Sequence, residues 1–313
     1  MEDKYVLQKG HLDVGDGHQI YYEEWGNKKA PPIIHLHGGP GAGFSSSHKR
    51  IYNPTKHHVI FHDQRGAGKS TPYASTKNNT TQDLINDIQK LRTYLNIKGP
   101  AYVVGGSWGS TLAMVYTIAH PTLVKRLLMW GIYLNRKEEI DYLYQGGPRT
   151  HFPEAWRRFI ELVGANQRKS SMDVIKFYFE KFNSSDKEKA VMYANEWTLW
   201  EATVCALNYD PQKLEEGVFK EDNLAIANLE AHYFLHDCFI SHSYILDNIK
   251  KIAHIPATVV QGRYDFCTPP SAAFDLKNAY GDTMSLHMVN NGHLRSEPET
   301  LASLRIYTEA VLA

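Results

Sequence analysis

The chain has 313 residues, and its 34 Lys plus Arg balance 34 Asp plus Glu, so it is long enough to bury a large core and carries no basic field for nucleic acid or an anionic membrane. No run approaches the roughly 18 uninterrupted apolar residues of a membrane span, and Met1-Glu2-Asp3-Lys4 lacks the basic, apolar, small-residue order of a secretory signal. A soluble cytoplasmic protein acting on a small molecule or peptide is expected.

In chain order, apolar runs at 19–25, 33–37 and 59–62 predict strands, each closed by Gly or Asp turn signals. Asp63-Gln64-Arg65-Gly66 follows the third, and a buried Asp and Arg pair bracing the strand ends is the expectation there. From 81 to 95, Leu84, Ile85, Ile88, Leu91, Tyr94 and Leu95 recur at helical spacing behind a cap at Thr80 or Thr81. A strand at 101–106, a helix at 111–120 and a strand at 126–131 come next. Strands alternating with helices predict parallel pairing in a sheet covered on both faces.

That rhythm stops at 135. Residues 135–249 read as helical and rich in aromatics, including Trp156, Phe159, Tyr178, Trp197, Trp200, Tyr233 and Phe234. An inserted helical cap is the simplest reading, giving a core of 1–134 and 250–313 and a cap of 135–249. The strand pattern then resumes at 258–262 and 285–289, with helices at 271–280 and from Glu297 onward.

Gly105-Gly106-Ser107-Trp108-Gly109 lies between a predicted strand and a predicted helix, the pattern of a nucleophile elbow. A serine hydroxyl needs a base, and the base needs an orienting carboxylate. In α/β-hydrolases these follow in the order Ser, Asp or Glu, His, each on a loop leaving the sheet. Gly262-Arg263-Tyr264-Asp265 and Asn291-Gly292-His293 leave successive late strands in that order. Ser107 is therefore the predicted nucleophile, His293 the general base and acid, and Asp265 the residue that orients the imidazole. The oxyanion needs two donors. The N–H of Trp108 follows the nucleophile, and the glycine-rich turn His37-Gly38-Gly39-Pro40-Gly41 offers that of Gly39.

No metal or cofactor is called for. Cys205, Cys238 and Cys267 show no CxxC spacing and predict buried free thiols. No HExxH occurs among the sixteen histidines.

The motifs His37-Gly38-Gly39-Pro40-Gly41, Asp63-Gln64-Arg65-Gly66-Ala67-Gly68-Lys69-Ser70, Asn78-Asn79-Thr80-Thr81, Gly105-Gly106-Ser107-Trp108-Gly109-Ser110-Thr111-Leu112 and Gly262-Arg263-Tyr264-Asp265 together resemble the proline iminopeptidases, α/β-hydrolases with a helical cap. The resemblance spans about 17–297. It implies a mostly parallel sheet with helices on both faces, and cleavage of N-terminal proline from short peptides. It also implies that Glu201 in Trp200-Glu201 and Glu230 in Glu230-Ala231-His232-Tyr233-Phe234 hold the free amine, with Tyr133 among the substrate-binding residues. A protonated amine between paired carboxylates is a charge-assisted contact that an internal peptide bond cannot make.

The chain departs from the family pattern at Trp130, where an arginine is usual, and at Tyr133, Leu143, Gly146, Ala67 and Leu294-Arg295. Several of these positions lie on or near the cap entrance as the family is built. An esterase or amidase of the same fold and a non-catalytic binding protein are the alternatives. The first would process simple esters only, and the second would leave Ser107 unreactive.

Overall fold

A computed structural model describes residues 3–220 and 222–312, and among these eight strands form one sheet. They are β1 (Val6–Gly15), β2 (His18–Gly26), β3 (Pro32–Leu36), β4 (His58–His62), β5 (Ala101–Ser107), β6 (Val124–Ile132), β7 (Ala257–Gly262) and β8 (Met284–Val289). Their order across the sheet is β1-β2-β4-β3-β5-β6-β7-β8. From β4 to β8 every neighbour runs parallel, while β1 with β2 and β2 with β4 are antiparallel.

The central strands read as continuous apolar runs because both faces are covered. Ile34, Val103, Leu127 and Val259 point to one face, where α1 (Thr81–Tyr94), α2 (Trp108–Ala119) and α10 (Pro270–Tyr280) pack. Their neighbours Ile33, Val104, Leu128 and Val260 point to the other, against Leu304 and Leu312 at the end of the chain. Leu304 belongs to α11 (Pro298–Val311). Helix α1 begins as its sequence predicts. Thr80 caps it, donating its N–H to Asp83 Oδ2 at 3.0 Å and accepting from the Asp83 N–H at 3.3 Å.

Between β6 and β7 the chain is helical: α3 (Lys137–Tyr144), α4 (Pro153–Glu161), α5 (Ser171–Phe182), α6 (Lys187–Cys205), α7 (Pro211–Val218), α8 (Leu224–Leu235) and the short α9 (Tyr244–Asn248). Its aromatics hold it together. Phe159 stacks on Tyr178 at 4.7 Å, and Tyr144 on Trp197 at 4.6 Å. Trp197, Trp200, Tyr178 and Phe159 are almost wholly buried, each contributing roughly 1.5–3 kcal/mol of apolar transfer.

The first strand is a departure from expectation. β1 exposes most of its side chains at the sheet edge, Leu12 and Val14 alternate inward to pack with Ile20 and Tyr22, and the antiparallel β1–β2 hairpin is held by that contact and by backbone pairing. No helix among the described residues is long and apolar enough to cross a membrane.

Candidate active site

Five neighbouring parallel strands, β3, β5, β6, β7 and β8, bring their carboxyl ends to one edge of the sheet, so the loops leaving them converge there. Gly39 follows β3, Ser107 ends β5, Tyr133 follows β6, Asp265 follows β7 and His293 follows β8.

Ser107 has the backbone of a strained elbow, with φ +56° and ψ −132°, a conformation that side chains rarely adopt. The flanking glycines are sterically required: a Cβ on Gly105 would lie 2.3 Å from the Gly109 carbonyl oxygen. Helix α2 starts at Trp108, immediately after the serine, so the helix N-terminus and its free N–H groups face the space beside Oγ.

His293 and Asp265 are joined. Nδ1 of His293 lies 2.8 Å from Oδ2 of Asp265, with both side chains buried. A set of donors holds the carboxylate. Oδ1 accepts the N–H of Thr268 at 2.7 Å and of Cys267 at 3.0 Å, and Oδ2 accepts the Thr268 hydroxyl at 2.9 Å and Gln261 Nε2 at 3.1 Å. The His293 N–H donates to the Cys205 carbonyl at 3.0 Å. Glu297 ties this loop to the end of α6, its Oε2 accepting from Gly292 N and its Oε1 from Leu207 N.

Burial alone would lower the His293 pKa, but the Asp265 carboxylate, with Cys267 and Glu201 nearby, raises it above the ordinary value. Among the described residues Ser107 Oγ has no hydrogen-bond partner.

The glycine turn sits against the elbow. A Cβ on Gly38 would be 3.4 Å from Ser107 Cβ, and Gly39, at φ +104°, lines the same cleft as Ser107. Gln64 fixes the turn relative to α2. Its Nε2 donates to the His37 carbonyl at 2.9 Å while its Oε1 accepts the Trp108 indole N–H at 2.9 Å.

The cleft, about 420 Å³, is lined by Gly39, Ser107, Tyr133, Leu143, Glu201, Glu230 and Phe234, with Glu139, Ile140, Cys267 and Thr268. Glu201 accepts from the Tyr144 hydroxyl, and Glu230 Oε2 accepts from Trp197 Nε1 at 2.7 Å. Burial raises the pKa of both carboxyls, and the adjoining Glu201 charge raises Glu230 further. Two full charges side by side are disfavoured there. Tyr133 presents its ring edge to Phe234, at 6.2 Å, while its hydroxyl donates to Asn135 Oδ1 at 3.2 Å. A larger cleft of about 670 Å³ around Arg158, Glu196 and Glu215 contains none of the predicted residues.

Seven of the eight predicted positions line the cleft or form the Asp265–His293 pair; five of the eight come from the strand ends and their loops, Trp108 from the start of α2, and Glu201 and Glu230 from α6 and α8. Gln261, Thr268, Gln64 and Glu297 were not singled out from sequence. Thr268 had a signal, since an Asp three residues before Thr and ahead of Pro269-Pro270 suits a side-chain-capped turn.

Two expectations are revised. Arg65 does not pair with Asp63. It makes a bidentate contact with Asp87 of α1, at 2.7 and 2.9 Å, whereas Asp63 accepts the N–H groups of Phe44 and Lys69. Trp130 is not near a cap entrance; it lies buried on β6 against Gly106, in the core of the opposite sheet face. Cys205, Cys238 and Cys267 are free thiols, and only Cys238 is fully buried. The donor atoms of Cys205, Cys267 and His293 lie within 4.8 Å of one another.

A family model described as "alpha/beta hydrolase fold" matches residues 31–299. The chain is 42% identical over 306 residues to a proline iminopeptidase of Arabidopsis thaliana, covering 97% of this chain and 80% of that protein. It is 40% identical over 313 residues to the proline iminopeptidase of Neisseria gonorrhoeae, covering 99% and 98%. Among solved structures, a proline iminopeptidase of Mycobacterium smegmatis superposes with a TM-score of 0.62 at 18% identity, covering 97% of this chain and 98% of that one. The Cif epoxide hydrolase of Acinetobacter nosocomialis reaches 0.69 at 15%, covering 99% and 90%, so these structural likenesses speak for the fold alone. Nearly full-length identity at this level, on a chain that carries the elbow and the glutamate pair, decides the matter: the chain belongs to the proline iminopeptidase family of α/β-hydrolases.

Proposed function

We propose that this serine hydrolase is an aminopeptidase that releases N-terminal proline, or another small N-terminal residue, from short peptides through an acyl-enzyme. The observation that carries this reading is the placement of Glu201 and Glu230 in the same small cleft as Ser107. Two buried carboxyls are costly to ionise without a cation, so an ammonium group is the ligand they favour. The apolar walls from Tyr133, Leu143 and Phe234 suit a pyrrolidine ring.

In the proposed mechanism the substrate amine sits at the glutamates and its carbonyl carbon at Ser107 Oγ. His293 Nε2 takes the hydroxyl proton as Oγ attacks, and the N–H groups of Gly39 and Trp108 receive the oxyanion. Collapse breaks the C–N bond, and the imidazolium passes its proton to the leaving amine. Water, deprotonated by His293, then attacks the ester, releasing the amino acid and restoring Ser107. Asp265 fixes the tautomer that makes Nε2 the acceptor, and Thr268 and Gln261 fix Asp265.

The division into a core of 1–134 and 250–313 and a cap of 135–249 belongs to the same reading. In its support, the cleft draws Leu143, Glu201 and Glu230 from the helical segment and Gly39, Ser107 and Thr268 from the rest.

A fluorophosphonate probe followed by peptide mapping tests the nucleophile: label on Ser107, abolished in Ser107→Ala, is expected. Hydrolysis of a naphthyl ester with no hydrolysis of proline naphthylamide would replace the peptidase by an esterase.

A further inference from the structure

Cys205, at the end of α6, and Cys267, two residues after Asp265, are far apart in sequence, and neither belongs to a metal-binding motif. The fold nevertheless brings them together beside His293, with all three donor atoms within 4.8 Å of one another. Two thiols and an imidazole are a zinc-type donor set. Neighbouring donors around a tetrahedral zinc stand roughly 3.5–3.8 Å apart, so a contraction of about 1 Å completes the set. Cys267 lines the cleft of Ser107, which gives an ion a way in and leaves a fourth coordination position for water or a substrate amine.

We propose that Cys205, Cys267 and His293 form a site for one thiophilic divalent cation, such as Zn²⁺, whose binding switches the enzyme off. Binding forms two metal–sulfur bonds and one metal–nitrogen bond and releases the two thiol protons to solvent, with no change of oxidation state. Both ring nitrogens of His293 have a task in the proposed reaction. Nδ1 holds Asp265 and Nε2 serves Ser107, so an ion on either nitrogen interrupts the proton path. The inhibition, though not the binding, rests on the function proposed above.

The test therefore has two readouts. Cadmium added to the metal-free protein should give the ultraviolet cadmium–thiolate charge-transfer band at one ion per chain, and this should be lost in Cys205→Ala and in Cys267→Ala. Zinc should inhibit hydrolysis of proline naphthylamide, and a chelator should restore it. Against each variant's own zinc-free rate, Cys205→Ala should raise the half-inhibiting zinc concentration at least about tenfold, since loss of even an outer-shell partner costs 10–100-fold in affinity. Magnesium and calcium, which prefer oxygen donors, should do nothing. No cadmium band, or equal zinc inhibition in both cysteine variants, would overturn the site. A cadmium band without inhibition would keep the site and refute the switch. If the protein proves inactive toward every peptide, the cadmium readout still decides whether the site exists.

Discussion

Glu201 on α6 and Glu230 on α8 adjoin in the cleft beside Ser107, each anchored by an aromatic donor, Tyr144 for the first and Trp197 for the second. Burial holds both carboxyls above their ordinary pKa, and an ammonium seated there favours their ionised forms, so binding is expected to release protons. KM for proline naphthylamide should therefore fall as pH rises through the titration of the pair, and isothermal titration in buffers of different ionisation enthalpy should detect proton release on binding. Glu230→Gln should lower kcat/KM for the naphthylamide by about 10–150-fold, the equivalent of a charge-assisted hydrogen bond, while sparing a naphthyl ester.

The same pair has a stability consequence. A carboxyl whose folded pKa is raised binds more protons folded than unfolded, so it opposes folding increasingly as pH rises from the unfolded value toward the folded one. Glu230→Gln removes that load. Its Tm relative to the parent should be higher at pH 8 than at pH 5, and an unchanged difference between the two would show that the pair is not held protonated.

His293 must be neutral to act as a base, and Asp265 raises its pKa. The acid limb of the kcat/KM profile should accordingly lie above the roughly pH 6.5 of an unperturbed histidine, with activity rising as pH passes through it. In Asp265→Asn the limb should move down while kcat falls on the order of 10³–10⁴-fold. A limb that stays in place would detach Asp265 from the imidazole.

Arg65 is buried and bound to Asp87 through two hydrogen bonds, with a third to the Asn78 carbonyl. Arg65→Ala leaves the Asp87 carboxylate buried and uncompensated, a loss of about 3–5 kcal/mol. Urea denaturation should show that loss. The folded fraction should retain its kcat, because Arg65 does not line the cleft.

Much of this was legible in the sequence because the signals are local. Thr80 and Asp83 cap α1 from within one turn, and the apolar runs of β3 to β8 announce a doubly covered sheet. The order of Ser107, Asp265 and His293 encodes the arrangement of their loops. What was not legible depends on contacts between distant segments or on backbone alone. β1 pairs as an exposed edge strand whose inward-alternating pair, Leu12 and Val14, is too short an apolar pattern to mark it. Arg65 finds its partner on α1, where Asp87 interrupts the stripe of Leu84, Ile88 and Leu91; a carboxylate on a buried helix face is itself a sign of a buried cation. Trp130 occupies a position that the resemblance put near the cap, yet alternation along β6 turns it into the opposite core. Cys205 and Cys267 meet only because the end of α6 returns to the loop after β7.

The central claim, that Ser107 acts on peptides recognised by a free N-terminal amine, is tested most directly by comparing proline naphthylamide with its N-acetylated counterpart. Acetylation removes the charge that Glu201 and Glu230 are proposed to bind and leaves the scissile amide intact. The free compound should be hydrolysed and the acetylated one should not, and equal rates for the two would contradict the account.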